Sequence, residues 1–136
     1  MDPANAAEVY NYLGYMWAEQ NTHLEDADAM IRKALELDPD NGAYLDSLGW
    51  VKFRRGRFNE ALPDLLRAAQ TLKKDDPVVF EHIGDTYSKL DRVQQAVVYW
   101  QKALAANPEN KSLAEKIERS KTMLSKGELP KGNPLQ

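Results

Sequence analysis

Residues 77–108 read PVVFEHIGDTYSKLDRVQQAVVYWQKALAANP, and they spell two helices joined by a short turn. Asp76 stands before Pro77, an N-cap followed by proline at the first helical position, where the missing N–H is no loss. Phe80, Ile83 and Tyr87 then recur at i, i+3 and i+7, the spacing of one helical face. Asp91 is expected to open the partner helix, with Gln94 three residues on in the manner of a capping box. Val93, Ala96, Val97, Trp100, Ala103 and Leu104 give that helix its apolar stripe, and Asn107-Pro108 ends it.

Moving outward from this segment, the same pattern returns at a fixed period. Gly14, Gly49 and Gly84 lie 35 residues apart both times, with Leu13, Leu48 and Ile83 one residue earlier. Ala27, Ala61 and Ala96 follow in the same frame, then Ala34, Ala68 and Ala103. Pro39 and Pro108 close the first and third copies. The first copy places Tyr10, Leu13, Gly14 and Trp17 on one helix; Thr22 is expected to cap the next, with Glu25 in its first turn, before Ala27, Ile31, Ala34 and Leu35. The second places Leu45, Leu48 and Gly49 before a turn at Arg55-Gly56-Arg57, then Phe58, Ala61, Leu62, Leu65 and Ala68. Pro63 falls in the early turns of that helix, where proline does least damage. A glycine inside a helix costs about 1 kcal/mol against alanine. Three of them in register imply a contact between paired helices too close for a side chain.

The pattern of apolar, Leu, Gly, aromatic, then Ala, bulky, Ala and Pro resembles the tetratricopeptide repeat. Phe80, Ile83, Gly84, Tyr87, Ala96, Trp100, Ala103 and Pro108 match it at every position. The second copy departs at Lys52 and Lys73, and the first carries an extra residue near Asn21. The resemblance implies an all-α fold, an α-solenoid of three helix-turn-helix hairpins plus a C-terminal capping helix. The expected organisation is a single array over 4–126, with repeats at about 4–40, 41–76 and 77–110, a capping helix at 111–126 and a flexible tail at 127–136. In the last helix Leu113, Ile117 and Leu124 share a face, and Glu118 takes the slot of the repeat glycine. The uncapped entry at Met1-Asp2-Pro3 suggests the C-terminal part of a longer array. Gly14-Tyr15, Leu45-Asp46-Ser47-Leu48-Gly49-Trp50 and Arg55-Gly56-Arg57-Phe58 look most like bacterial exported arrays, among them outer-membrane-associated adaptors. That kinship points to the cell envelope or periplasm, with the cytoplasm also open.

Composition is that of a folded soluble domain: 136 residues, 43% hydrophobic and 29% charged. A globule of this length buries roughly 70% of its unfolded surface, so no staple is needed. The absence of cysteine excludes disulfides, thiolate metal sites and thiol catalysis. A net charge of −3 argues against a nucleic-acid partner, and the short apolar runs against membrane insertion. The charge is uneven: residues 1–41 carry 2 basic and 9 acidic side chains, whereas residues 109–136 carry 6 and 4. An acidic front end and a mildly basic back end suit a basic partner or a second copy of the chain.

No catalytic constellation stands out. His23 and His82 lie in different repeats without metal-ligand spacing, and there is no phosphate loop or nucleophile elbow. The basic turn Arg54, Arg55 and Arg57 reads as a solvated loop, and Asn110-Lys111-Ser112 as a formal glycosylation pattern only. The expectation is therefore a non-enzyme without metal or cofactor. The resemblance implies that the first helix of each pair lines a concave groove. Opposite the core stripe those helices present Asn11 and Tyr15, then Asp46, Trp50 and Phe53, then Glu81 and Asp85, flanked by Glu8, Tyr12, Ser47 and His82. Trp50 and Tyr15 either anchor a ligand there or pack on neighbouring helices. Family members that clamp a C-terminal carboxylate use lysine, arginine and asparagine; the matching positions hold Asn11, Tyr15, Ser47, Val78 and His82, with no cationic pair. The groove suits an apolar peptide or helix flanked by Lys or Arg. The expected function is a protein-interaction scaffold or adaptor, and the alternative is self-association into homo-oligomers through the first repeat.

Overall fold

The computed structural model describes residues 2–128, and all regular structure among them is helical. The chain divides into two compact units, Met1–Lys73 and Lys74–Gln136. The first holds α1 (Pro3–Glu19), α2 (Leu24–Leu37), α3 (Gly42–Arg54) and α4 (Phe58–Thr71). The second holds α5 (Pro77–Lys89), α6 (Val93–Ala106) and α7 (Lys111–Ser125). The expected tail from residue 129 onward lies outside the described residues.

In the first unit α1 pairs with α2 and α3 with α4, while α3 also packs on α1 and α2. In the second, α5 pairs with α6, and α7 packs on α6. The registered glycines sit where each pair closes. A Cβ built on Gly14 would stand 2.6 Å from Ile31 Cγ1 and 2.9 Å from the Ala27 carbonyl oxygen. On Gly49 it would meet Leu65 Cγ at 2.6 Å, and on Gly84 the Trp100 indole at 2.3 Å. Ala27, Ala61 and Ala96 across the contact are fully buried. Backbone approach is thus set by residues without bulk, and the space under each glycine is filled by Ile31, Leu65 or Trp100, four residues beyond the alanine. Gly42 makes a fourth close contact, against Leu72.

Two of the capping expectations are corrected. Asp91 is not an N-cap; it adopts a left-handed conformation with φ 61°, and Val93 begins α6. Thr22 does not cap α2 either: the helix starts at Leu24 behind His23, which is itself left-handed, and the Thr22 hydroxyl meets the His23 ring. The physical reason is a recurring helix stop. Asn21, Gly56 and Asp91, again 35 apart, are each left-handed, and the next amide reaches back five residues, Thr22 to Trp17, Arg57 to Lys52 and Arg92 to Tyr87. This is the Schellman arrangement, and Asn, Gly and Asp are the residues that tolerate it. Helix α7 stops the same way at Gly127, with Glu128 bonded back to Met123. The turn after α1 contains Gln20 to His23, one residue more than Arg55 to Arg57 or Leu90 to Arg92, which locates the extra residue of the first copy.

The expected caps at Asp76 and Pro77 are present, the Asp76 carboxylate accepting from the Val78 amide at 2.8 Å. Asn41 and Asn110 cap α3 and α7 in the same way, accepting from Tyr44 and Leu113 amides. Asn110, which reads as part of a glycosylation pattern, has this structural role instead.

Candidate functional site

The candidate groove residues fall in both units and are described within each. In the first unit, Tyr15 of α1 and Trp50 and Phe53 of α3 join one hydrophobic cluster with Ala18, Ile31, Leu48 and Val51. The Trp50 ring stacks on Phe53 at 4.5 Å between centroids and 14° between planes. Its Nε1–H donates to a Glu19 carboxylate oxygen at 2.9 Å. The Arg54 guanidinium lies 5.8 Å from the Trp50 ring centre, and its nitrogens donate to the Ala18 and Glu19 carbonyls. Trp50 is 8% exposed, so it forms the wall between α1 and α3, while Tyr15 and Phe53 keep partial exposure. The packing role left open for Trp50 describes its surroundings.

Asp46 and Ser47 are buried, and the Ser47 hydroxyl donates to the Ala43 carbonyl. Asn11 is half-buried, and its side-chain carbonyl oxygen is shielded from solvent without a hydrogen-bond partner among the described residues. Glu8 and Tyr12 are exposed, Tyr12 at 72%. The structure therefore joins Tyr15, Trp50 and Phe53, and leaves Glu8 and Tyr12 facing water.

In the second unit Glu81 and Asp85 share one face, and both are engaged. Lys116 of α7 donates to Asp85 at 2.9 Å and to Glu81 at 3.5 Å. Trp100 Nε1–H donates to Asp85 at 3.0 Å, and the Lys116 ammonium sits 4.8 Å from the Trp100 ring centre. Asn110 adds a longer bond to Glu81 at 3.4 Å. His82 is buried, and its carbonyl accepts from the Thr86 hydroxyl. The acidic pair thus holds a cation of its own chain.

Sequence reading missed Glu19, Arg54 and Lys116 as members of these clusters. Glu19 carries a signal, lying one helical turn beyond Tyr15. Lys116 carries none, because it reaches Glu81 and Asp85 across more than 30 residues of chain. Burial raises the phenol pKa of Tyr44 above its ordinary value, with Glu8 and Asp38 adding to the shift. Burial also raises that of Tyr87, with Tyr99 adding and Arg92 opposing. No group of three or more His, Cys, Asp or Glu among the described residues could hold a metal ion. No described helix is long and apolar enough to cross a membrane.

The chain is 38% identical over 84 residues to a TPR repeat-containing protein of Pseudomonas aeruginosa, covering 62% of this chain. It is 35% identical over 89 residues to the Type IV pilus assembly protein PilF of the same organism, covering 65% of this chain. The matched stretches span 14% and 35% of those two relatives' lengths. The likeness to bacterial repeat proteins expected from the sequence is borne out. Among solved structures, the first TPR of Spaghetti (RPAP3) bound to an HSP90 peptide superposes with a TM-score of 0.80 at 18% identity, covering 90% of this chain and 95% of that one. The family profile described as tetratricopeptide repeat matches residues 2–115. By its registered glycines and alanines, the seven helices of its described residues and this match, the chain belongs to the tetratricopeptide-repeat family.

Proposed function

We propose that the chain is a non-catalytic protein-interaction scaffold that holds a peptide or helix of a partner against the first helices, α1 and α3 in particular. One observation carries this reading: the partly exposed rings of Tyr15 and Phe53 flank the buried Trp50 in one cluster. Aromatic groups backed by a rigid wall supply contact area with little entropy to lose, which is what binding anchors need. A like-folded domain binds an HSP90 peptide in its solved structure, which supports a peptide as the class of ligand. The ligand chemistry proposed here differs, because Asn11, Tyr15, Ser47, Val78 and His82 offer no lysine or arginine to a carboxylate. The favoured ligand is an apolar segment with a basic flank directed at the exposed Glu8. Glu81 and Asp85 are less suited to that flank, since Lys116 already pairs with them. The likeness to PilF supports a setting in the bacterial cell envelope.

Selection of displayed peptides on the chain, followed by titration, tests this. Tyr15→Ala and Phe53→Ala should each weaken a selected peptide about tenfold, the effect of losing one aromatic anchor. Unchanged affinity for both variants overturns the site, whatever peptide is selected.

A further inference from the structure

Each first helix of a pair is covered by its second: α2 on α1, α4 on α3 and α6 on α5. Helix α7 starts as a first helix does, with Asn110 capping it as Asn41 caps α3, yet among the described residues no helix follows it. Between α6 and α7 lies an open groove of about 370 Å³, floored by Leu104, Pro108, Ala114 and Ile117. Register identifies the kind of element that fits there. Ala114, Ile117, Glu118 and Lys121 repeat the spacing of Leu45, Leu48, Gly49 and Lys52 on α3, the helix on which α4 is seated. There Lys52 meets Asp64 of α4 at 2.6 Å, and Asp40, the residue before Asn41, meets Arg67 of α4 at 2.8 Å. The counterparts of those two anchors, Lys121 and Glu109, keep the same charges, and both are exposed. The difference lies at the glycine slot. Gly49 leaves room for Leu65, whereas the exposed Glu118 holds a neighbouring helix further off and presents a carboxylate in the place of that hollow.

We propose that the α6–α7 groove docks one amphipathic helix of a separate partner protein, running antiparallel to α7 as α4 runs to α3. Its charges follow from the register. An Asp or Glu faces Lys121, a Lys or Arg at the next position faces Glu118, and a Lys or Arg three residues after the acid faces Glu109. Small or apolar side chains at the places of Ala61 and Ala68 rest on the groove floor. None of α2, α4 and α6 has an acidic residue followed directly by a basic one, so a repeat helix of this chain's own kind does not meet the requirement. Residues 129–136 carry no acidic side chain for Lys121. A single helix face is small beside a standard interface, so the association is weak and reversible. This inference is independent of the peptide site, since it uses no residue of α1 or α3 as a contact.

The probe is a synthetic peptide of residues 58–72 with Pro63→Ala and Leu65→Lys, which keeps Asp64 and Arg67 and is lactam-bridged on its outer face to hold the helix. Titrated to about 1 mM into the isotope-labelled 136-residue chain, it should shift the amides of Ala114, Ile117, Glu118 and Lys121 to saturation. Glu118→Lys, at an exposed position that leaves the fold intact, should weaken this peptide about fivefold, the effect of turning one surface attraction into repulsion. A second peptide with Leu65→Glu should show the reverse preference, binding the Glu118→Lys chain better than the wild type. Tyr15→Ala and Phe53→Ala should leave both affinities unchanged. Absence of a saturable shift overturns the proposal, and so does equal affinity of the two peptides for the two chains. Shifts confined to α1 and α3 overturn it in favour of the peptide site. Shifts at the same α7 amides that grow with chain concentration alone, without peptide, overturn it in favour of a second copy.

Discussion

Trp50 in the first unit and Trp100 in the second both give their indole N–H to a carboxylate, yet they do different work. Trp100 fills the hollow under Gly84, and the carboxylate that holds it is closed by Lys116. Asp85, Trp100 and Lys116 tie α5, α6 and α7 together. Trp50 instead stacks on the partly exposed Phe53, and its neighbouring cation, Arg54, is anchored on main-chain carbonyls. The comparison teaches that the same bond can serve as a core fastening or as the back wall of a surface. What separates them is whether the carboxylate is paired by a cation of the chain and whether an aromatic face stays in contact with water.

The glycine beneath each pair gives the largest way to break this contrast. Gly84→Ala pushes a Cβ into a rigid, buried indole and should cost about 3 kcal/mol, the upper end of overpacking penalties. Gly49→Ala meets Leu65, whose side chain can turn, and should cost about 1–2 kcal/mol after the helix-propensity gain of alanine. Urea unfolding of the two variants measures both; equal losses would remove the distinction between the two packing sites.

A smaller effect separates the two cations. Lys116→Met leaves Glu81 and Asp85 facing each other without their shared donor and should cost about 1–2 kcal/mol, less at high salt. Arg54→Met removes hydrogen bonds to neutral carbonyls and should cost about 1 kcal/mol with little salt dependence. Unfolding at low and high salt reads the difference, and a salt-insensitive loss for Lys116→Met would show that its charge is idle.

The smallest effect concerns pH, and it has one contributor in each unit. Burial favours the neutral phenols of Tyr44 and Tyr87, so their folded pKa values lie above the ordinary 10.0. The unfolded chain therefore loses these protons first as pH rises. The stability they confer is complete below about pH 10 and declines as pH climbs through the folded values. Comparing the unfolding midpoints at pH 9 and pH 11 for wild type and the Tyr44→Phe, Tyr87→Phe double variant isolates the term from lysine titration. The wild-type chain should lose more than the variant.

Much of this fold could be read before any coordinates, because close helix contact demands particular residues. Gly14, Gly49 and Gly84 tolerate no Cβ, so the pairing is written as composition at a fixed period. The left-handed stops at Asn21, Gly56 and Asp91 are written the same way, but Asp91 also suits an N-cap, and the local pattern does not distinguish the two roles. Surface residues were less legible. Helical spacing places Asp46, Trp50 and Asp85 on first helices, but their burial and partners come from other helices that spacing does not see.

The amino-acid order alone determined that the described residues are helical and that six of their helices come in three close pairs. Small side chains and left-handed stops are local requirements that few residues meet. Only tertiary structure decided that Lys116 neutralises Glu81 and Asp85 and that Trp50 lies against Glu19. Those contacts join residues about 30 or more apart in sequence, and the approach of one helix to another selects them. No local preference of the backbone records that approach.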